Sequence, residues 1–223
     1  GKVSPKLSYD SKVTYLKQGI GNRQYTGEAY QNNQRHILRI PRNISLEQAG
    51  KYDYIDPSSG KLRQNYWNPG SNGGENPLWT KNRVISADLR DRVMGFGSLT
   101  YQVTPALSLM ARAGMDKTLD RFEGKWYNDT YTIADFGNYQ TENRDVIETN
   151  FDFIGIFKKN ILAELTVDAT FGASLQHLNR YSQSTNAGGL NRDNLFIPSN
   201  GRGPTDARSI VDTEKQGVFA TAD

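Results

Sequence analysis

Apolar residues recur at every second position through several long stretches of this chain. That period is the mark of a two-faced β-strand. In residues 6–17, Leu7, Tyr9, Val13 and Tyr15 share one face with Ser11, while Ser8, Asp10, Lys12 and Thr14 share the other. In residues 162–176, Ala163, Leu165, Val167, Ala169, Phe171, Ala173 and Leu175 lie opposite Glu164, Thr166, Asp168, Thr170, Gly172, Ser174 and Gln176. This run is longer than the usual strand of about 5–6 residues. It suits a tilted membrane crossing of about 9–11 residues with an overhang. Residues 92–103, 107–116 and 148–157 repeat the pattern, the last with Phe151, Phe153 and Phe157 on one face and Asn150 and Asp152 on the other. A sixth strand is predicted to start near Gln216.

The connections alternate in length. Tight turns are expected at residues 104–106 and 158–160, and long links at 18–89, 117–147 and 177–215. Short turns on one side and long loops on the other are the rhythm of an outer-membrane barrel, whose long loops are extracellular. The predicted fold is all-β: an antiparallel transmembrane β-barrel segment of about six meander strands, with short helices in the long loops. Within the first loop, Ser45-Leu-Glu-Gln48 reads as a capping box opening a short helix that stops at Gly50. Residues 65–77, rich in Asn, Gly and Pro, read as coil.

Composition narrows the chemistry. The 223 residues hold no cysteine, which excludes disulfides, thiolate metal sites and cysteine nucleophiles. A net charge of +3 gives no polyanion-binding surface, so no nucleic-acid partner is expected. Hydrophobic residues make up only 36%, yet aromatics reach 11%, too many for a disordered chain. No run approaches the roughly 20 apolar residues of a membrane helix, a test that barrel strands escape because only alternate positions are apolar. His36, placed in a predicted loop helix, and His177, placed at a strand end, belong to no catalytic motif, and no enzyme activity or cofactor is expected.

Several strings, in this order, resemble the SusC/RagA family of TonB-dependent outer-membrane transporters of Bacteroidetes. They are Val13-Thr-Tyr-Leu-Lys-Gln with Asn22-Arg23, Leu38-Arg-Ile-Pro-Arg-Asn-Ile-Ser45, Glu75-Asn-Pro-Leu-Trp79, Asp91-Arg-Val-Met-Gly95, Gly114-Met-Asp116, Leu195-Phe-Ile-Pro198 and Gly217-Val-Phe219. Leu78 and Ala106 depart from the family's usual pattern. The resemblance places residues 1–223 within one barrel domain, in the cell outer membrane and against its lipid. The plug, the TonB-contacting segment and the remaining strands would lie elsewhere in a longer parent. It implies active import of glycan or peptide oligomers, driven by the TonB complex through the parent's N-terminal region, with a SusD-like lipoprotein as partner.

Two sets of side chains are candidates for function. Tyr66, Trp67, Trp79, Trp126, Tyr127, Tyr131 and Tyr139 are loop aromatics that suit substrate contact, since sugar C–H groups and peptide side chains both stack on rings. The competing reading is that they pack the loops together or meet the lipoprotein. Arg92, Arg112, Asp116, Asp152, Glu164 and Asp168 project into the lumen on the alternation above, where they would pair with the plug or simply line a wet interior. Tyr15 and Tyr101 suit an interfacial girdle. A soluble β-rich carbohydrate-binding module is the rival fold, and it would have to bury one strand face against a second sheet.

Overall fold

The computed structural model describes residues 1–23, 25–68, 74–162 and 165–223, with the backbone only at residues 162 and 165. Its chain order is β1 (Lys2–Ser4), β2 (Leu7–Gly21), α1 (Asn33–Ile37), α2 (Leu46–Gly50), β3 (Asp53–Ile55), β4 (Leu62–Gln64), α3 (Pro77–Arg83), β5 (Val84–Thr104), β6 (Leu107–Thr130), β7 (Ala134–Leu162), β8 (Leu165–Asn186) and β9 (Thr205–Ala222). One 7-stranded antiparallel sheet runs β1-β2-β5-β6-β7-β8-β9, and β3 and β4 form a separate small hairpin inside the first long loop. The six long strands are those expected, with β1 added as a short edge. The sheet is open, with β1 and β9 at its two edges.

Four sequence expectations are corrected. The turn expected at 158–160 is strand: Lys158, Lys159 and Asn160 pair with Asp168, Val167 and Thr166. The link at 117–147 is mostly not a loop: β6 and β7 stay paired from Lys117↔Ile147 up to Thr130↔Ala134, leaving only residues 131–133 unpaired. In this stretch, for example Asp120-Arg-Phe-Glu-Gly-Lys125, both faces are polar, so backbone pairing continues while the period-two signal vanishes. For the same reason β8 runs on to Asn186 and β9 starts at Thr205, which puts His177 inside a strand beside Asp212 rather than at a strand end. Finally, Pro77, expected as the end of a coil, opens a helix over Pro77–Arg83, while residues 69–73 of that stretch lie outside the described residues. Asn76 caps α3 by accepting from the Leu78 amide, and Pro77 occupies the first turn, where its missing N–H costs nothing. The capping box is as expected: the Ser45 hydroxyl accepts from the Gln48 amide, and the Gln48 side chain accepts from the Ser45 amide.

The register aligns the apolar positions into rows. One row reads Tyr9, Leu99, Ala111, Phe153, Ala173, Val218, and the next below it Leu7, Tyr101, Leu109, Gly155, Phe171, Ala220. This face is uncovered: Val13 is 76% exposed, Phe153 51% and Val218 87%. No second sheet packs on it among the described residues, so the sandwich arrangement of the rival fold is not what forms. The band of apolar side chains also slopes. Its upper edge stands at Tyr15 on β2 and Met115 on β6, and has dropped to Val218 on β9. The residue in register with Tyr15 is Asp212, six positions from Val218. Leu89, Leu119, Ile147, Tyr181 and Ile210 are apolar or aromatic exceptions above this edge. A fall of about 20 Å over five strand spacings of about 4.8 Å gives a slope near 40°, the tilt of strands in a closed barrel.

The buried apolar residues, Ala49, Trp79, Trp126, Ala187 and Leu190, all lie in the loops or the upper ends of strands. The hydrophobic core is therefore a small knot on top of the wall. At its strand end, Gly137 has φ +65, and a Cβ there would stand 2.6 Å from the Asn128 Oδ1 and 2.9 Å from the Trp126 carbonyl oxygen. We expect Gly137→Ala to destabilise the hairpin by more than about 1 kcal/mol. Amide exchange at residues 126–138 of the full-length protein measures this; unchanged protection there would contradict the assignment.

Candidate functional site

The tip of the β6–β7 hairpin holds the first loop through polar contacts of long sequence range. Asp129 adopts a left-handed backbone at φ 74, unusual for a residue with a side chain. Its carboxylate accepts from the Gln64 amide (2.6 Å) and the Arg63 guanidinium (3.0 Å), and its carbonyl accepts from the Gln64 side chain (2.8 Å). The Gln64 side-chain oxygen accepts from the Asn76 amide (2.7 Å), and the Asn76 side chain donates to the carbonyls of Ala49 and Asn65. Thus one strained turn residue leads, through two buried amides, to α2, β4 and α3.

The ring and imidazole groups follow the same logic. Trp79 is fully buried and donates its indole N–H to the Thr130 hydroxyl at 3.0 Å, which in turn donates to the Tyr127 carbonyl. His36, also buried, lies 2.7 Å through Nε2 from the Tyr30 carbonyl, so that nitrogen carries the proton and Nδ1 is free to accept from the Glu75 amide at 3.2 Å. Burial lowers the His36 pKa, and Arg35 and Arg39 push the same way, so the imidazole stays neutral. Its role is structural.

The third loop, residues 187–204, joins the same knot. Asn128 and Asn194 exchange amide-to-side-chain hydrogen bonds of 2.9 and 3.0 Å, and Asp193 accepts from Asn128 while pairing with Lys61 at 2.9 Å. Phe196 sets its ring 5.0 Å from Tyr127 and 6.4 Å from Tyr139.

The candidate aromatics therefore divide. Trp79 and Trp126 are buried and hold the knot together, so neither presents a ring to solute. Tyr127 lies between the Arg83 guanidinium, 5.0 Å away, and Phe196, while Tyr139 donates to Glu123 at 3.0 Å. Tyr66, Trp67 and Tyr131 gather into one half-buried patch: Tyr66 is 4.8 Å from Trp67 and 6.3 Å from Tyr131, and the Tyr131 hydroxyl donates to the Gln64 carbonyl. Burial, reinforced by the Asp129 carboxylate, raises the Tyr131 pKa and keeps it a donor.

The charged candidates share the face opposite the apolar rows. Arg92 grips Asp116 through two N–H groups, Arg112 meets Asp152 at 2.8 Å, and Lys158 meets Asp168 at 2.9 Å. Glu164 lies outside the described residues. Sequence reasoning missed the pairs Arg23–Asp88, Arg90–Asp120 and Arg144–Glu142 on the same face, because it placed Arg23, Asp88, Asp120, Glu142 and Arg144 in long links and began the strand beyond Arg90. Among the described residues, no three His, Asp or Glu side chains gather as a metal cage.

No family model and no curated protein matches the sequence. Solved structures do. The RagAB peptide importer in its 'open-open' state superposes with a TM-score of 0.73 at 15% identity, over 99% of this chain and 24% of that one. The fold is RagAB-like. The RagAB peptide transporter and the 'closed-closed' importer superpose with TM-scores of 0.70 and 0.69 at 13% identity, each over 99% of this chain and 24% of the other. The chain thus spans about a quarter of the RagAB chains it matches, and at these identities the likeness is one of fold.

Glu75 provides a test of the knot. One oxygen, Oε1, accepts from the amide and hydroxyl of Thr132; the other, Oε2, is buried without a hydrogen-bond partner, the Thr80 hydroxyl being turned to the Asn76 carbonyl at 3.5 Å. Burial pushes the carboxyl pKa up to about 6 from 4.5. A raised carboxyl pKa means the folded knot prefers the protonated acid. Its stabilisation is full below the unfolded pKa and is lost as pH rises through the folded one, a change of about 2 kcal/mol. Thr132 amide protection, corrected for intrinsic exchange, should fall between pH 4.5 and about 6 in the wild type and stay level in Glu75→Gln. A pH-dependent variant or a pH-independent wild type would rule out this role for Glu75.

Proposed function

We propose that the chain is part of the wall and outer rim of an outer-membrane transporter that takes up peptide or glycan oligomers, with peptides favoured. The observation that carries this reading is the match of nearly the whole chain to RagAB chains described as peptide transporters and importers. The sloping apolar band supports it. On β6 it runs from Leu107 to Met115, a stretch of about 9 residues, as a barrel crossing requires. Tyr101 and Tyr15 stand on the apolar face toward its two ends, where amphipathic rings suit the lipid headgroups. On this reading the apolar face meets lipid, the ion-paired face meets the lumen, and the knot forms an extracellular cap. Substrate is captured between the cap and a SusD-like lipoprotein and admitted when the TonB complex acts on the parent's N-terminal region. Transport belongs to the whole parent.

The patch of Tyr66, Trp67 and Tyr131 is the proposed capture surface, with Tyr127 and Tyr139 beside it. Trp67→Ala should weaken substrate capture by the parent while leaving cap protection intact. Trp79→Ala, which empties a buried ring site, should instead loosen the cap by about 3–5 kcal/mol. Equal capture by Trp67→Ala and wild type would remove the patch from the binding surface.

The lipid assignment has its own check. Phe153→Arg places a cation in the apolar rows and should cost about 2–4 kcal/mol in the folding of the full-length protein into vesicles. No change would mean this face does not meet lipid. The reading as a whole is tested by antibody capture from source outer membranes in mild detergent. A species several times larger than 25.0 kDa, with a lipoprotein attached, is expected; a soluble 25.0 kDa protein alone would overturn it.

A further inference from the structure

On the charged face, higher up the wall than Met115, six side chains surround an open cavity of about 330 Å³. They are Arg23, just beyond β2, Asp88 and Arg90 on β5, Asp120 on β6, and Glu142 and Arg144 on β7. Arg90, Asp120 and Arg144 form one register row, and Asp88, Phe122 and Glu142 form the next. Three cations face three anions, so the ring carries no net charge.

The three ion pairs differ in what they leave free. Arg90 holds Asp120 through Nε (2.6 Å) and Nη2 (2.8 Å), which occupies both carboxylate oxygens. Arg23 reaches Asp88 through Nε alone (3.1 Å), and Arg144 reaches Glu142 through Nη2 alone (3.1 Å). A guanidinium carries five N–H donors and a carboxylate two oxygens, so among the described residues each of these outer pairs keeps spare donors and a spare acceptor. The Arg23 and Arg144 side chains are 61% and 48% exposed. Asp88 and Glu142 lie two strand spacings apart, about 10 Å. An extended peptide of three residues spans about the same distance. Phe122 lies between them as an apolar floor.

We propose that this cavity is a subsite for the ends of a short zwitterionic peptide, about three residues long. Its ammonium group meets the spare carboxylate oxygen of one outer pair, its carboxylate the spare guanidinium donors of the other, and its chain crosses Phe122. The volume stands at the small end of the roughly 300–1,000 Å³ of ligand pockets. An acidic oligosaccharide would meet three carboxylates, and a neutral one would leave the alternating charges unused. Holding the strands together is a weak alternative purpose, because exposed ion pairs are worth about 0–1 kcal/mol and a continuous backbone ladder already joins β5, β6 and β7. The proposal rests on the transport reading, in which this face borders the substrate's path.

The test is calorimetric titration of the full-length protein with its lipoprotein partner, in detergent. The probes are tri-alanine with free termini and tri-alanine acetylated and amidated. Loss of a charge-assisted contact is expected to weaken binding about tenfold. Blocking both ends should therefore weaken tri-alanine at least that much. The double variant Arg144→Gln/Glu142→Gln removes one outer pair whole, so whichever end sits there loses its contact; it should weaken the free peptide about tenfold and leave the blocked one unchanged. If it does not assemble, Arg23→Gln/Asp88→Asn, which removes the other pair, gives the same reading. Equal binding of free and blocked peptide, or wild-type affinity in the assembled variants, overturns the subsite. Should the variants import longer peptides normally while tri-alanine fails to bind the wild type, the subsite falls and the transport reading stands. Failure of the wild type to take up any peptide or oligosaccharide defeats the transport reading itself.

Discussion

The backbone ladder that joins β1 to β9 without interruption is the interaction on which everything else depends. A wall one sheet thick has no interior, so the hydrophobic effect, which dominates in ordinary domains, has almost nothing to act on within it. Ladder hydrogen bonds set the register, and register sorts side chains by face, since a slip of one residue would exchange the faces. The exposed row of Tyr9, Leu99, Phe153 and Val218 and the opposite row of Arg112 and Asp152 are consequences of that one constraint. Such a wall is stable only where its surroundings suit both faces. The sloping apolar band is therefore a statement about environment as much as about fold.

The same constraint explains what the sequence could tell. Alternation is legible only where the two faces meet different surroundings. Residues 107–116 show it because one face is apolar; Asp120 to Lys125, equally paired, do not, because both faces are polar. A strand's chemical asymmetry was readable, and its length was not. Local cues fared better. The Ser45–Gln48 box needs only neighbours in sequence, and Asn76-Pro77 carried an equally local cap signal that was read as coil. The knot was illegible for the opposite reason. Asp129 meets Gln64 across 65 positions and Trp79 meets Thr130 across 51, and nothing local to any of these residues announces its partner. A loop tryptophan looks the same in sequence whether it is displayed or buried, so Trp79 and Trp67 could be separated only by structure.

Buried polar contacts also set how the cap behaves. A knot held mainly by apolar area would tolerate small shifts, whereas hydrogen bonds fade steeply with distance and angle. Here Asp129, Gln64, Asn76 and Glu75 are each buried and each joined to a different segment. Breaking one leaves a desolvated group unpaired, at a cost of about 1–3 kcal/mol. The expected behaviour is concerted, with the first and third loops staying on the hairpin tip or leaving it together. A rim built this way changes position as a unit.

That property bears on the cavity below. Glu142 and Arg144 belong to β7, whose upper end, at Thr130↔Ala134, carries the knot, and Asp120 belongs to β6, whose tip is Asp129 and Thr130. The charged ring and the cap therefore hang on the same hairpin, about eight to ten residues apart along a paired ladder. Paired strands resist shear because sliding one residue breaks every bond in the ladder. A displacement of the cap is thus transmitted down the hairpin as tilt rather than slip, and tilt alters the separation between the β5 and β7 charges across Phe122. The spacing of the two open ion pairs, and on the proposed reading the length of peptide they would suit, follows where the cap rests.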